Sequence, residues 1–511
     1  MLSKVLSASI IGIDAHPVEV EVDITSRGLP HFSMVGLPDA AVKESRDRVR
    51  AALKNIGFNF PLKQITVNLA PADLKKEGSS FDLPIAIGII AAEGVIGLDS
   101  VNSYLLTGEL SLDGKIKPVK GALSMALRAK ELGLKGIILP EENAPEAAVV
   151  KGIPVFGIRS IPEVIEFLRD SNFKIPFEVN VHKAMEENSI YEDDFFEVKG
   201  QEHAKRALEV AAAGGHNVLM IGPPGSGKTM LAKRLPTILP GMTFDEALET
   251  TRIHSVVGLL RDGQPLLAIR PFRSPHHTIS DVALIGGGQI PKPGEVSLAN
   301  NGVLFLDELP EFKRNVLEVL RQPLENEEVT VSRAVASITY PASFMLVAAM
   351  NPCPCGYFGD SRHQCTCTPG QIHRYRHRVS GPLLDRIDIH IEVPAVPYKE
   401  LTTEYSGEKS EDIRKRVLTA RDVQLERFKN DKKLYSNGQM KTRHIKKYCK
   451  LNPDAQTLLE TAMHKLGLSA RAYTRILKLS RSIADLDSSE DIQSHHVSEA
   501  IQYRTLDRGV F

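Results

Sequence analysis

The sequence contains no tryptophan, only 6% aromatic residues and only five cysteines among 511 residues. So few cysteines are a poor basis for a secreted disulfide framework. Lysine plus arginine and aspartate plus glutamate both total 63, so any binding to nucleic acid or to an acidic membrane must come from local patches. The most apolar stretch, DLPIAIGIIAAEGVIGL, contains Glu93 and is too short to span a bilayer. These absences favour a cytoplasmic protein with several domains.

The pattern of the chain divides it into three parts joined by one linker. Residues 1–172 alternate strand-like and helix-like segments, and PVEVEVDIT, QITVNLA and KGIILP predict strands. A polar stretch predicts a linker over 173–197. A second α/β region is predicted over 198–396, with a cysteine-rich insertion at 353–367. The charge-rich remainder, 397–511, predicts helices. We therefore expect an α/β fold.

One short motif has the pattern of a phosphate site. The apolar strand NVLMI leads into GPPGSGKT and then into the helix-forming segment MLAKRL. The glycines let backbone N–H groups surround phosphates, Lys228 offers a positive charge to the outer phosphates, and Thr229 can bind Mg²⁺. A chance glycine-rich turn is the alternative, and the strand–loop–helix context argues against it. The residues expected to hold ATP here are Gly222, Pro223, Pro224, Gly225, Ser226, Gly227, Lys228 and Thr229.

Three later segments supply the groups that ATP hydrolysis needs. GVLFLDELPEF predicts a buried strand that ends at Asp307, which would hold Mg²⁺, and at Glu308, which would polarise the attacking water. The strand in SFMLVAAMNP ends at Asn351, which is expected to sense the γ-phosphate. In GPLLDRIDIH, Arg386 lies between two aspartates and could form a local salt bridge. Phosphoryl-transfer motors also need an arginine from a neighbouring subunit, and we favour this role for Arg386.

Taken in order, GPPGSGKT, LFLDE, AAMNP and SGPLLDRIDIH resemble the AAA+ ATPases of the magnesium-chelatase-like branch. RPFRSPHHTISDVALIGGG, PKPGEVSLANNGVLFLDELPEF and CPCG closely resemble the YifB/ComM family, and the resemblance covers essentially the whole chain. It implies a AAA+ P-loop core, a C-terminal helical lid and a ring, usually a hexamer, with ATP and Mg²⁺ bound between subunits. It assigns a second phosphate-contacting arginine to the lid, where LSARAYTR supplies Arg471, and Arg475, one helical turn further on, is the competing candidate. It also implies that Gly200 and Gln201 lie near the adenine.

The resemblance implies an ATP-driven ring motor. ComM-type members are associated with branch migration of DNA during natural transformation and homologous recombination, so a DNA helicase or translocase is expected. Chelatase relatives instead drive metal insertion with partner subunits, and a regulatory ATPase that remodels a partner protein is a third hypothesis. The ATPase motifs do not separate these three functions.

Residues 1–172 resemble the Lon-protease domain, a ribosomal S5 domain 2-like α+β fold. In KKEGSSFDLPIA, Ser80 stands where the Lon serine would be. A Ser–Lys mechanism needs a desolvated lysine as base. Leu123 and Ser124 stand where that lysine should follow PVKGAL, and Lys120 comes too early. We expect a scaffold without protease activity, used for ring assembly or nucleic-acid contact.

The segment NPCPCGYFGDSRHQCTC gathers four of the five cysteines into one polar loop. Disulfides are not expected in a reducing cytoplasm. Two close pairs of thiolates can instead close tetrahedrally on Zn²⁺, and the metal would fold a loop too polar to form a core. Unliganded thiols are the alternative, and His363 could replace one cysteine. The expected zinc ligands are Cys353, Cys355, Cys365 and Cys367.

Two segments offer arginines to DNA. In IHRYRHR, Arg374 and Arg376 could contact phosphates or could simply form a solvated helix start. EEVTVSRAVASITYPASFML alternates like a β-hairpin with Arg333 near its turn. The architecture of the family implies a place near the pore of the ring for this hairpin, where the DNA backbone would be the partner of Arg333.

Overall fold

The computed structural model describes residues 1–26, 29–187, 191–288, 291–332, 337–360, 362–397, 407–431 and 434–504. The chain forms two compact units. The first consists of residues 1–189, 244–268 and 290–292, and the second of residues 190–243, 269–289 and 293–511. None of the helices in the described ranges is long and apolar enough to cross a membrane.

The first unit is built on a mixed seven-stranded sheet. The strands of the unit are β1 (Leu2–Ile11), β2 (Asp14–Thr25), β3 (His31–Val35), β4 (Gln64–Ala70), β5 (Tyr104–Leu106), β6 (Glu109–Leu110), β7 (Ile116–Lys117), β8 (Gly136–Pro140) and β9 (Val155–Ile158), of which β6 and β7 form a separate antiparallel pair. The sheet order is β3-β4-β2-β1-β5-β8-β9. The pairs β1–β2 and β2–β4 are antiparallel and the other neighbours are parallel. Strands β2, β4 and β8 confirm the three strands that the alternating sequence predicts.

The helices of the first unit cover this sheet. They are α1 (Ala40–Asn55), α2 (Asp82–Ala92), α3 (Leu98–Asn102), α4 (Ala122–Glu131), α5 (Ala144–Ala147), α6 (Ile161–Arg169) and α7 (Val181–Glu187). Every residue of α2 is buried, because the most apolar segment of the sequence packs against β1 and β2. Asp82 at its start is compensated by an ion pair with Arg48, at 2.7 Å.

The positions that correspond to the Lon active site lie around α4. Leu123 is completely buried in an apolar cluster. The Ser124 hydroxyl donates to the Ile13 carbonyl at 2.6 Å. Lys120 is exposed, and Ser80 accepts the Gly108 N–H through its carbonyl at 3.0 Å. Positions 123 and 124, where the dyad would need its lysine, thus hold a buried leucine and a serine that bonds to the backbone. The scaffold role remains a prediction.

The second unit contains a parallel five-stranded sheet and most of the remaining helices. The strands from here to the C-terminus are β10 (Val218–Ile221), β11 (Phe272–Arg273), β12 (Gly286–Gly287), β13 (Lys292–Pro293), β14 (Val303–Leu306), β15 (Glu328–Ser332), β16 (Ser337–Pro341), β17 (Met345–Met350) and β18 (Ile389–Glu392). The sheet order is β11-β14-β17-β10-β18. All residues of β10, β14 and β17 are buried, which is typical of parallel strands covered on both faces. Strands β15 and β16 form a separate antiparallel pair.

The later helices include a long C-terminal group that packs on the same core as the sheet. They are α8 (Glu202–Gly214), α9 (Lys228–Ile238), α10 (Phe244–Val257), α11 (Asp281–Ile285), α12 (Glu295–Leu298), α13 (Arg314–Glu318), α14 (Arg321–Asn326), α15 (Pro369–Arg376), α16 (Gly381–Leu384), α17 (Ser410–Phe428), α18 (Thr442–Tyr448), α19 (Pro453–Leu466), α20 (Ala470–Leu486) and α21 (Ser494–Gln502). In α20, Ile476, Leu479 and Ile483 are completely buried in this core.

Helix α10 belongs to the first unit although its neighbours in sequence belong to the second. It packs against α4. Arg252 on α10 pairs with Asp14, and its Nε donates to the Ile13 carbonyl at 3.0 Å. The Gly121 N–H donates to the Ser255 carbonyl at 3.2 Å. The sequence does not separate this segment from the ATPase region 198–396, because the partners of α10 lie far away in the chain.

Candidate nucleotide site

Three strands of the parallel sheet deliver the polar residues of the site to one edge. Strands β10, β14 and β17 end at residues 221, 306 and 350. They run parallel, with Ile221 opposite Met350. Because the carboxyl ends of parallel strands meet at the same edge of a sheet, the residues that follow them gather there. These residues are Gly222, Asp307 and Asn351.

The loop GPPGSGKT joins β10 to the N-terminus of α9. Its Gly222 N–H donates to the Met350 carbonyl at 3.2 Å, which fixes the loop to the neighbouring strand. Gly227 has a φ of +89° immediately before α9 begins at Lys228. This left-handed conformation turns the chain into the helix. Glycine adopts it with little steric strain because it has no Cβ atom. The first N–H groups of α9 then form an anion site with the positive end of the helix dipole.

Lys228 lies inside this loop. Its Nζ donates to the carbonyls of Gly222 and Pro223, at 2.8 and 2.9 Å, and lies 3.4 Å from Oδ1 of Asn351. Burial lowers the pKa of Lys228, and the charges of Asp307 and Glu308 oppose that shift. The lysine and the polar end of β17 are therefore together, as the motif order predicts.

Thr229 and Asp307 meet across the site. The Thr229 hydroxyl donates to Oδ2 of Asp307 at 2.7 Å, and Oδ1 of Asp307 accepts the N–H of Glu308 at 2.9 Å. A hydroxyl and a carboxylate oxygen are ligands that suit Mg²⁺, which also keeps several waters and substrate phosphate oxygens. The donor set therefore fits the predicted Mg²⁺.

Glu308 has a neighbour that the sequence analysis did not assign. Its backbone is left-handed, with φ +53°, and its side chain is more than half exposed. Nδ1 of His277 lies 3.4 Å from Oε2 of Glu308, and the His277 ring meets Phe312 edge-on at 6.4 Å. The paired histidines of RPFRSPHHTISD were the available signal, but only folding brings His277 to the carboxylate.

Gln201 also contacts the phosphate loop. Its Nε2 donates to the carbonyls of Ser226 and Pro394, at 2.6 and 3.2 Å. Its Oε1 is buried, with no hydrogen-bond partner among the described residues. Gly200 and Gln201 both have left-handed backbones, with φ of +63° and +57°. Gln201 therefore lies beside the phosphate loop, and the place of Gly200 and Gln201 near the adenine stays a prediction.

Arg386 lies at the opposite edge of the sheet from this site. Strand β18 is parallel to β10, with Val218 opposite Ile389. Arg386 precedes β18, whereas the phosphate loop follows β10. The strands span roughly 13 Å between these two edges. The Arg386 guanidinium pairs with Glu325, and its carbonyl accepts from Nδ2 of Asn217, just before β10, at 2.9 Å. The structure therefore does not bring Arg386 to the loop of its own chain.

The two candidate arginines of α20 bind aspartates on either side of Arg386. Arg475 pairs with Asp388, and its side chain is 20% exposed. Burial raises the pKa of Asp388, but Arg475 and His216 outweigh burial and hold that pKa far below its usual range. Arg471 donates to Asp385 at 2.7 Å and is 67% exposed. Arg475 is thus part of an internal ion pair, which leaves Arg471 as the accessible candidate.

The four cysteines of the loop converge. The Sγ–Sγ distances are 3.3 Å for 353–355, 3.7 Å for 353–365 and 3.6 Å for 355–365, and the four sulfurs lie within 4.8 Å of one another. A tetrahedral site with Zn–S bonds of 2.3 Å has an edge of about 3.8 Å. Backbone N–H groups of Tyr357 and Thr366 lower the pKa of the Cys355 thiol to about 6. Backbone N–H groups also favour the thiolates of Cys365 and Cys367, but burial and the neighbouring thiols outweigh them and raise both pKa values. The donor set therefore fits Zn²⁺.

His363 and the predicted DNA arginines take different positions. The His363 ring lies 4.7 Å from the Tyr357 ring, centre to centre, with the two planes tilted by 34°, and its Nδ1 lies 3.8 Å from Oδ1 of Asp360. Nε of Arg376 donates to the Pro352 carbonyl at 3.0 Å, so Arg376 supports the cysteine loop, contrary to a free surface role. Arg374 is exposed. Arg333 lies outside the described residues.

Comparison with known proteins identifies the class. The family model described as magnesium chelatase, subunit ChlI, matches residues 194–401. Models described as subunit ChlI of Mg-chelatase and as its C-terminal region match residues 20–143 and 407–504. The chain is also 26% identical over 186 residues to Lon protease 2 of Bacillus subtilis, which is 32% of this chain and 33% of that protein. The predicted fold class is confirmed: an AAA+ α/β core, a Lon-like domain and a helical C-terminal region.

Longer matches identify the family. The chain is 46% identical over 510 residues both to competence protein ComM of Haemophilus influenzae and to the uncharacterized protein YifB of Escherichia coli. Each alignment covers 99% of this chain and 98% of the relative. The chain belongs to the YifB/ComM family of magnesium-chelatase-like AAA+ proteins, and the resemblance drawn from the motifs is confirmed.

Proposed function

We propose that this protein hydrolyses ATP with Mg²⁺ as part of a ring and uses that reaction to move or remodel branched DNA. The observation that carries the proposal is the gathering of Lys228, Thr229, Asp307 and Glu308 at one sheet edge while Arg386 lies at the other. Such a subunit has half of a catalytic site at each edge.

Each group at the loop edge has a chemical task. Lys228 leaves its loop carbonyls for the more strongly accepting phosphate oxygens. Thr229 and Asp307 would hold Mg²⁺, which would supply positive charge to neutralise the phosphates. Glu308 accepts a hydrogen bond from the attacking water, and His277 restrains its carboxylate. Asn351, next to Lys228, orients the γ-phosphate.

The arginines at the far edge complete the site of the adjoining subunit. Arg386 would leave Glu325 and contact the γ-phosphate there, where it stabilises the charge of the transition state. Arg471 donates to Asp385, the residue before Arg386. We therefore assign both arginines to the same neighbouring ATP, with the hexamer as the expected assembly.

DNA is the proposed substrate because a basic groove lies close to the hydrolytic carboxylate. Arg314, His373, Arg374, His377 and Arg378 line this groove. The Glu311 N–H donates to the Glu308 carbonyl at 2.8 Å, and Glu311 pairs with Arg378 on the groove at 2.9 Å. Phosphates bound there would act on the segment that holds Glu308. A competence protein among the relatives agrees with a DNA substrate.

The test is the rate of ATP hydrolysis with and without a four-way DNA junction and single-stranded DNA. We expect severalfold stimulation, and Arg374→Ala should weaken DNA binding and reduce the slope of log affinity against log salt by about 1. Lys415→Ala, which removes an exposed charge from α17, should leave the slope unchanged. A rate indifferent to DNA would instead favour action on a partner protein.

A structural zinc ion is the second part of the proposal. Four thiolates at tetrahedral spacing repel one another unless a cation neutralises them, and the loop has little apolar surface to replace the metal. Elemental analysis of the purified protein should find about one zinc per chain. Replacement of Cys365 and Cys367 by serine should abolish it, whereas Cys449→Ser, a change outside the cluster, should not. Full zinc content in the double variant would show that these cysteines do not hold the zinc.

A further inference from the structure

The cysteine loop folds back against the phosphate loop. Gly356 follows Cys355 in a turn that is closed by its own N–H on the Cys353 carbonyl, at 3.0 Å. Its φ is +88°. A Cβ atom on Gly356 would lie 2.6 Å from Cδ and 2.8 Å from Cγ of Pro224. The backbone at Gly356 therefore touches the second proline of GPPGSGKT, with no room for a side chain between them.

The same loop has a second contact with the nucleotide site. It begins at Asn351, whose Oδ1 lies 3.4 Å from Nζ of Lys228. Next comes Pro352, whose carbonyl accepts a hydrogen bond from Nε of Arg376 at 3.0 Å. Cys353 follows and is completely buried. The guanidinium of Arg376 also lies over the Phe358 ring, at 5.3 Å. Residues 351–356 thus connect the lysine, one pair of thiols and the proline of the phosphate loop.

We propose that the metal-bound cysteine loop is a wall of the ATP site and that Gly356 is the positioning residue that holds Pro224. The inference rests on the proposed function of the site as an ATPase. Zinc on the four thiolates fixes the turn at Gly356. This turn supports the phosphate loop GPPGSGKT in the conformation in which its N–H groups surround phosphates. Because a preorganised loop loses less entropy when it binds phosphate, a loose wall weakens ATP binding. The groups that cleave the bond are not displaced.

Gly356→Ala tests the contact directly. Its methyl group would push Pro224 away, and we expect about tenfold weaker binding of a fluorescent ATP analogue. The zinc content should stay at about one per chain, and kcat at saturating ATP should change by no more than about twofold. Gly359→Ala is the matched control. Gly359 has a φ of +81° but nothing within 4 Å of its added Cβ, so the variant carries similar backbone strain without the contact.

Two further variants separate the contact from general damage. Pro224→Ala removes the atoms that the new methyl group meets, so Gly356→Ala combined with Pro224→Ala should bind ATP no more weakly than Pro224→Ala alone. The double serine variant at Cys365 and Cys367 should lose zinc and show the same weaker ATP binding. If the wild-type chain binds ATP but never hydrolyses it, and the variants still show these losses of affinity, the wall is supported and the proposed function is overturned. The wall is disproved if Gly356→Ala binds ATP normally, or if both glycine variants lose affinity equally.

Discussion

Arg386→Ala is expected to lower kcat for ATP hydrolysis by about a thousandfold or more while ATP binding changes little. An arginine supplied to the transition state is worth about 10³–10⁵ in rate. Removal of this side chain leaves the exposed Glu325 and the carbonyl of the exposed Pro382 without this guanidinium, so the subunit should remain folded. Steady-state phosphate release and equilibrium binding of labelled ATP measure the two quantities. Arg443→Ala, at an exposed arginine of α18, is the control and should keep its rate.

A mixing experiment decides whether Arg386 acts on a neighbouring site. Subunits with Arg386→Ala keep Glu308, and subunits with Glu308→Gln keep Arg386. If the arginine acts between subunits, mixed rings contain complete sites and recover part of the lost activity. If the arginine acts within its own chain, every site in the mixture lacks one group. Absence of recovery in verified mixed rings would therefore refute the proposed division of the catalytic site.

Glu308→Gln is expected to lower kcat by about 10²-fold or more and to leave ATP bound. The amide has nearly the shape of the carboxylate but cannot polarise the water as a base, and such general-base effects are worth about 10²–10⁴ in rate. ATP affinity should hold or rise, because a negative charge beside the γ-phosphate is removed. Single-turnover hydrolysis and ATP retention on the ring measure these changes.

Glu311 provides a control in the same segment. It forms an ion pair with Arg378, at 2.9 Å. Among the described residues, Thr229 and Asp307 bond to each other and not to Glu311. Glu311→Gln should therefore keep its hydrolysis rate in the absence of DNA. If Glu308→Gln retained most of its activity, a different group would have to activate the water.

The nucleotide site was predictable because its groups follow buried strands at short range. Lys228 and Thr229 lie in one contiguous strand–loop–helix motif, and Asp307 comes directly after an apolar strand. Parallel strand order then sends the polar ends to one edge without further information. The opposite position of Arg386 follows from the same rule, because this arginine precedes a strand. The roles of these residues stay predictions until the variants are measured.

Contacts between distant segments were not predictable from the sequence. Helical periodicity places Arg471 and Arg475 one turn apart on α20, and only the buried Asp388 distinguishes them. The basic run predicts phosphate contacts for Arg374 and Arg376 alike, yet Arg376 donates to Pro352. His277 reaches Glu308 from an insertion whose own pattern carries no sign of its target. These choices depend on packing, which a local pattern does not encode.

Helix α10 limits how this protein can be divided for experiments. A fragment that starts at Tyr191 would retain α10 but lose α4 and the apolar cluster of the first unit against which Leu248 of α10 packs. A fragment that ends at Glu187 would in turn leave the partner face of α4 in water. Newly bared apolar surface of this kind promotes self-association. Truncation at the apparent linker should therefore yield insoluble or misassembled halves, whereas point variants in the full chain should remain informative.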